Sequence, residues 1–89
     1  MKQNSFVVET TDQNFAEQVL KAEVPVLVDF YAPWCPPCNV LGPTVESLAE
    51  QFQGRAKVVK LNIDDNAKST ARFAIKALPT LVLFNGGEK

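Results

Sequence analysis

The chain has no histidine, and that absence removes a good deal of chemistry. Without an imidazole there is no Cys–His or Ser–His–Asp machinery within this chain, and the commonest zinc ligand is missing. Cysteine is scarce too. There are two, Cys35 and Cys38, so a structural zinc site needs carboxylate ligands or a second chain. Charge of one sign is also lacking: 9 Lys and Arg against 10 Asp and Glu leave a formal net charge of −1. Nothing in that balance suggests a nucleic-acid or acidic-substrate surface. No apolar run is long enough to span a membrane, and Met1-Lys2-Gln3-Asn4-Ser5 lacks the apolar core of a signal peptide. There are no repeats, linkers or low-complexity tracts, and 89 residues allow one domain with a real core but not two. The expected location is the cytoplasm. In a reducing compartment a cysteine pair points to a cycling dithiol or a metal site rather than a staple.

What is present concentrates in Tyr31-Ala32-Pro33-Trp34-Cys35-Pro36-Pro37-Cys38-Asn39, which holds both cysteines, the only tryptophan and three of the six prolines. Before it, Val26-Leu27-Val28-Asp29-Phe30-Tyr31 reads as a strand, apolar on both faces and therefore central. After it, Leu41, Val45, Leu48 and Phe52 recur at helical spacing. The pair thus sits where a strand ends and a helix begins. Residues i and i+3 share a helix face, so the thiols can close a small disulfide ring. A helix start favours an anion, which should stabilise a thiolate at Cys35 and lower its pKa. Cys38, one turn inside, should be more buried and less acidic. A zinc half-site or two incidental core cysteines remain alternatives at this point.

The rest of the chain frames that stretch. Phe6-Val7-Val8-Glu9 is a short strand candidate. Thr10-Thr11-Asp12 offers helix caps, with Gln13 as a capping-box partner for Thr10. Phe15, Val19 and Leu20 form the buried stripe of a short helix ending near Lys21. The long helix is expected from about Pro36 to Phe52, with Pro36 or Pro37 in its first turn, Pro43 in its interior and Gly54 closing it. Lys57 to Ile63 reads as a strand, Asp64-Asp65-Asn66 as a turn with cap chemistry, and Ala67 to Phe73 as a short helix. Leu78-Pro79-Thr80 precedes the strand Leu81-Val82-Leu83-Phe84, and Asn85-Gly86-Gly87 has hairpin-turn composition. The order βαβαβαβ argues for an α/β layer fold.

At this point several ordered motifs resemble the thioredoxin family. They are Val26-Leu27-Val28-Asp29-Phe30-Tyr31-Ala32 leading into Trp34-Cys35-Pro36-Pro37-Cys38, Pro43 in the following helix, Lys60-Leu61-Asn62-Ile63-Asp64, Leu78-Pro79-Thr80, and Phe84-Asn85-Gly86-Gly87-Glu88. The resemblance implies an α/β fold with a central mixed sheet flanked by helices, and a thiol–disulfide oxidoreductase acting on protein disulfides. It implies a redox-active Cys35–Cys38 disulfide with no bound cofactor, and a thioredoxin reductase, a flavoenzyme using NADPH, as electron donor.

Individual positions carry further implications. Asp29 resembles the family's buried carboxylate, which exchanges a proton with the resolving thiol, here Cys38. Its bland alternative is a core acid paired with Lys60, itself a plain strand residue in that case. Trp34 would lie over the site with Pro36 and Pro37, giving apolar surface for a protein substrate. Pro79 would be cis and face the cysteines, with backbone around Leu78 pairing with an extended peptide. Pro43 is expected to be structural only.

The chain departs from the family at Pro36-Pro37, where Gly-Pro is usual, which bears on redox potential. It also lacks the family's fifth strand and last helix. The expectation is a single domain, 1–89, C-terminally short, whose exposed edge strand allows a dimer. The rival readings are an oxidase- or isomerase-like protein, a non-catalytic metal- or partner-binding module, and a fragment.

Overall fold

β-Branched and aromatic residues with apolar side chains on both faces dictate a central strand, and Val26–Tyr31 is that strand, β2. In the computed structural model, which describes residues 6–87, it lies between two neighbours. Lys57–Asn62 (β3) runs parallel to it, with Val28 opposite Val59 and Asp29 opposite Lys60. Thr80–Phe84 (β4) runs antiparallel on its other side, with Val28 opposite Val82. Val8–Glu9 (β1) adds to the far edge of β3, in parallel. The sheet order is therefore β1-β3-β2-β4, a mixed sheet as expected.

Helices cover both faces. Pro36–Gln51 (α1) packs Val45 and Ala49 against Val58, Val7 and Leu27. The opposite face receives a helical turn, Ala16–Leu20, and the region around Ala67–Arg72 (α2). Phe15, Phe30, Phe73 and Phe84 meet there, with ring centroids 5.2 to 6.3 Å apart, within the range of favourable aromatic pairs. Val26, Val28, Phe30, Val59 and Leu61 are wholly buried beside them.

Several local expectations need correction. Pairing of the first strand begins only at Val8, opposite Val59, although Val7 is buried. The helical turn is π-helical, with Lys21 N–H donating to the Ala16 carbonyl at 2.9 Å. Gln13 makes no capping box. Asn14 takes that place, its Oδ1 accepting from the Thr10 hydroxyl at 2.7 Å and the Thr11 N–H at 2.8 Å. α1 ends at Gln51, α2 at Arg72 and β3 at Asn62, one residue short of expectation in each case, while β4 begins one earlier at Thr80. Pro43 lies inside α1 as anticipated. Gly54 does not cap the helix directly. Phe52 does, and Gly54 follows in a turn at φ +87°, a conformation that disfavours any side chain.

The cap of α2 comes from elsewhere. Asn66 does not cap its own helix; Asp12, across the fold, accepts from Ser69 N–H at 2.8 Å and Lys68 N–H at 3.1 Å. Desolvation pushes the Asp12 carboxyl up, but it is outweighed by hydrogen bonds from Ser69 and from the Lys68 backbone, and by the Lys68 charge. The net pKa is lowered. A lowered carboxyl stabilises the fold above the ordinary aspartate pKa, and that contribution is lost as pH falls through the folded value. Asp12→Ala is expected to melt several degrees lower at neutral pH, with the gap narrowing in acid; thermal melts across pH check this.

Candidate active site

The last residues of β2 deliver the chain to the start of α1, and the two cysteines straddle that junction. Cys35 is the N-cap of α1, with extended backbone at φ −98° and ψ 106°. Its sulfur occupies the position where a serine or aspartate oxygen usually caps, accepting from the Cys38 N–H at 3.2 Å. Pro36 and Pro37 fill the first helical positions and have no N–H to offer. Asn39 N–H goes to the Cys35 carbonyl at 3.2 Å. The single local backbone donor on the sulfur is thus that of Cys38. The sulfurs are joined in a disulfide, with Cα atoms 5.3 Å apart.

Both cysteines are buried, Cys35 at 4% exposure and Cys38 at 7%, so the expectation that Cys38 is the more buried does not hold. Ile63, Leu78 and Tyr31 pack around the pair, and this packing covers Cys35 as well. What separates the thiols is the direction in which each opens. Cys35 lines a surface groove of about 370 Å³ with Trp34, Pro36, Pro37, Ile75 and Leu78. Cys38 instead lines a smaller hollow of about 160 Å³ with Asp29, Asn39, Gly42 and Lys60.

The groove wall opposite the cysteines is the segment before β4. The Leu78–Pro79 peptide bond is cis, as expected from the resemblance, and Leu78 packs on the cysteine cluster. Trp34 stands 65% exposed on the other side. Its indole N–H donates to the Asp64 carboxylate, at 3.0 Å to Oδ2 and 3.2 Å to Oδ1. Sequence reading gave Asp64 no role here, nor did it find Ile63, Ile75 and Lys76 in the groove lining. No local signal marks these residues, because the pairing of Asp64 with Trp34 joins positions 30 apart in the chain.

Asp29 projects from β2 towards α1 and is 6% exposed. Its Oδ1 has no hydrogen-bond partner among the described residues. Desolvation raises its pKa, opposed in part by the charge of Lys60. Among the described residues no ion pair joins Asp29 to Lys60, although the Lys60 charge acts on it. Lys60 forms its ion pair with Glu9 at 4.0 Å and lies 5.5 Å over the Tyr31 ring. Tyr31 also donates to Glu9, at 2.8 Å. Pro43 lines neither the groove nor the hollow.

Comparison with known proteins gives a consistent answer. The family model described as Thioredoxin matches residues 6–89. Thioredoxin 1 of Nostoc sp. is 46% identical over 85 residues, covering 96% of this chain and 79% of the relative. The thioredoxin of Synechocystis sp. is 46% identical over 81 residues, or 91% and 76% of the two chains. That of Haemophilus influenzae is 40% identical over 84 residues, or 94% and 78%. With its disulfide at the mouth of α1 and this match along nearly its whole length, the chain belongs to the thioredoxin family and is a thiol–disulfide oxidoreductase.

Proposed function

We propose that the chain reduces disulfides in proteins, with Cys35 attacking and Cys38 resolving. The observation that carries this reading is the opposed opening of the two sulfurs, Cys35 to the groove and Cys38 to the hollow containing Asp29. In the reduced protein the Cys35 thiolate, held by the helix start, attacks one sulfur of the substrate disulfide. A mixed disulfide forms, and the other substrate sulfur leaves as a thiolate and takes up a proton. Cys38 gives its proton to Asp29 and attacks the Cys35 sulfur, releasing the second substrate thiolate. Two electrons have then passed from the dithiol to the substrate. A carboxyl with a raised pKa suits this exchange near neutrality.

In this reading Trp34, Pro36 and Pro37 supply apolar surface for the substrate, and the backbone around Leu78 pairs with an extended segment of it. The redox unit is the disulfide itself, without a bound cofactor. Reducing equivalents come from a flavin- and NADPH-dependent thioredoxin reductase, in a reducing compartment such as the cytoplasm. Among the described residues no helix is long and apolar enough to cross a membrane.

The edge of the sheet supports a further association. Among the described residues β4 pairs only with β2, leaving its other edge open. Leu81 and Leu83 are 41% and 55% exposed, and Leu83 lines an apolar hollow of about 310 Å³ with Leu27, Leu48, Phe52 and Val58. An open apolar edge is a template for strand pairing, and an antiparallel pair of identical strands satisfies two-fold symmetry. A second copy of the chain covers β4 in this reading.

Three outcomes test these roles. Cys38→Ser is expected to accumulate a mixed disulfide with insulin, detectable by mass, while Cys35→Ser forms none and loses reductase activity. The reverse pattern contradicts the assignment.

Asp29→Asn is expected to slow the resolving step about a hundredfold, roughly the lower end for general-base effects. The same variant should be about 1 kcal/mol more stable at neutral pH, since a poorly solvated carboxylate is removed. A raised aspartate pKa favours the fold below the unfolded value and loses that contribution as pH rises through the folded value. The advantage of the variant therefore fades in acid. Denaturant melts and resolving rates across pH measure both effects, and an unchanged rate leaves Asp29 a structural residue.

In sedimentation velocity the wild type should dissociate on dilution, and Leu83→Lys should be monomeric throughout. A wild type that is monomeric at high concentration contradicts edge pairing.

A further inference from the structure

One buried polar side chain outside the reaction path connects distant parts of the fold to the groove. Asn66 is 5% exposed, and both ends of its amide are used. Its Oδ1 accepts from the Asp12 N–H at 2.9 Å, and its Nδ2 donates to the Asn62 carbonyl at 2.9 Å. The first bond crosses 54 residues and ties the loop after β1 to the β3–α2 loop. The second closes that loop on itself, around Ile63, Asp64 and Asp65. Asn62 returns the restraint, its Oδ1 accepting from the Asp64 N–H at 2.9 Å. The Asp64 carboxylate then holds the Trp34 indole.

We propose that Asn66 is a positioning residue for Trp34, acting through the Asn62–Asp64 turn. A buried amide with both groups satisfied has one low-energy orientation, because either group left unpaired would lose its hydrogen bond without recovering water. The near end of the turn is held separately, by the Ile63 N–H on the Tyr31 carbonyl at 2.9 Å, and Asn66 holds its far end. A two-thirds-exposed tryptophan has little packing to fix its rotamer, so its direction depends on the one carboxylate that holds its N–H. Removing Asn66 frees the turn, lets Asp64 move and allows Trp34 to swing from the groove wall. Asn66 therefore governs affinity for protein substrates rather than the chemistry of exchange. This inference rests on the reading of Trp34 as substrate surface given above.

Trp34 is the only tryptophan in the chain, so intrinsic fluorescence reports on it alone. The test measures acrylamide quenching, KM and kcat for insulin reduction, and the rate with Ellman's reagent, a small disulfide with little surface to dock. It compares wild type, Asn66→Ala, Asp64→Ala and the double variant.

Asn66→Ala is expected to raise the quenching constant and to raise KM for insulin about three- to tenfold, the scale of one or two buried hydrogen bonds. The kcat and the small-disulfide rate should stay within about twofold by the same argument. The double variant should be no more quenchable than Asp64→Ala, since both act on one turn. If Asn66→Ala does not fold, Asn66→Asp, which keeps the acceptor for Asp12 and loses the donor to Asn62, carries the same expectation.

Unchanged quenching in a folded Asn66 variant overturns the proposal, whatever happens to stability. Raised quenching with an unchanged insulin KM in both single variants overturns the reading of Trp34 as substrate surface and with it the claim on affinity.

Discussion

A single hydrogen bond, from the Cys38 N–H to the Cys35 sulfur at 3.2 Å, joins the fold of this chain to its chemistry. Helices begin with N–H groups that lack partners, and an oxygen side chain ordinarily meets that need. Here the sulfur meets it. The requirement that starts α1 therefore also holds this sulfur where negative charge is favoured. Pro36 and Pro37 sharpen this arrangement: they suit the first turn because they need no acceptor, and for the same reason they leave the Cys38 N–H as the main local donor.

β2 determines where that helix start can lie. It has described neighbours on both edges and helices over both faces, so its register is fixed by burial on each side. A one-residue slip would turn Val28 and Phe30 towards α1 and Asp29 into the aromatic cluster. The alternation that buries Phe30 on one face puts Asp29 on the other, under α1 and next to Cys38. The same strand thus leads into the disulfide at its end and carries the buried Asp29 carboxyl on its underside. The groove on the outer side is built separately, by the cis Leu78–Pro79 segment and by Trp34 held to Asp64.

These parts differ in how far they can be read from sequence, and the difference follows from the range of the interactions. β2 and α1 are legible because their patterns are local: two apolar faces over six residues, then prolines in a first turn followed by apolar residues at helical spacing. The cysteine pair, the cis-proline segment and the buried carboxylate were legible through motif order. The cap at the start of α2 is not, because it arrives from Asp12, and neither is the partner of Trp34. The apolar pattern of Phe15, Val19 and Leu20 fits an α-turn and a π-turn equally. The Lys57 ammonium accompanies the wider turn here by bonding the Gln18 carbonyl at 3.0 Å, a contact spanning 39 residues.

The claim that the helix start activates Cys35 is tested most directly by the pH dependence of iodoacetamide labelling in the reduced protein, with each thiol resolved by peptide mass mapping. The account predicts that Cys35 is labelled first at neutral pH, and that its rate is half-maximal well below the ~8.5 of an unperturbed thiol. Cys38 labelled first, or a Cys35 profile centred at or above the free-thiol value, would contradict it.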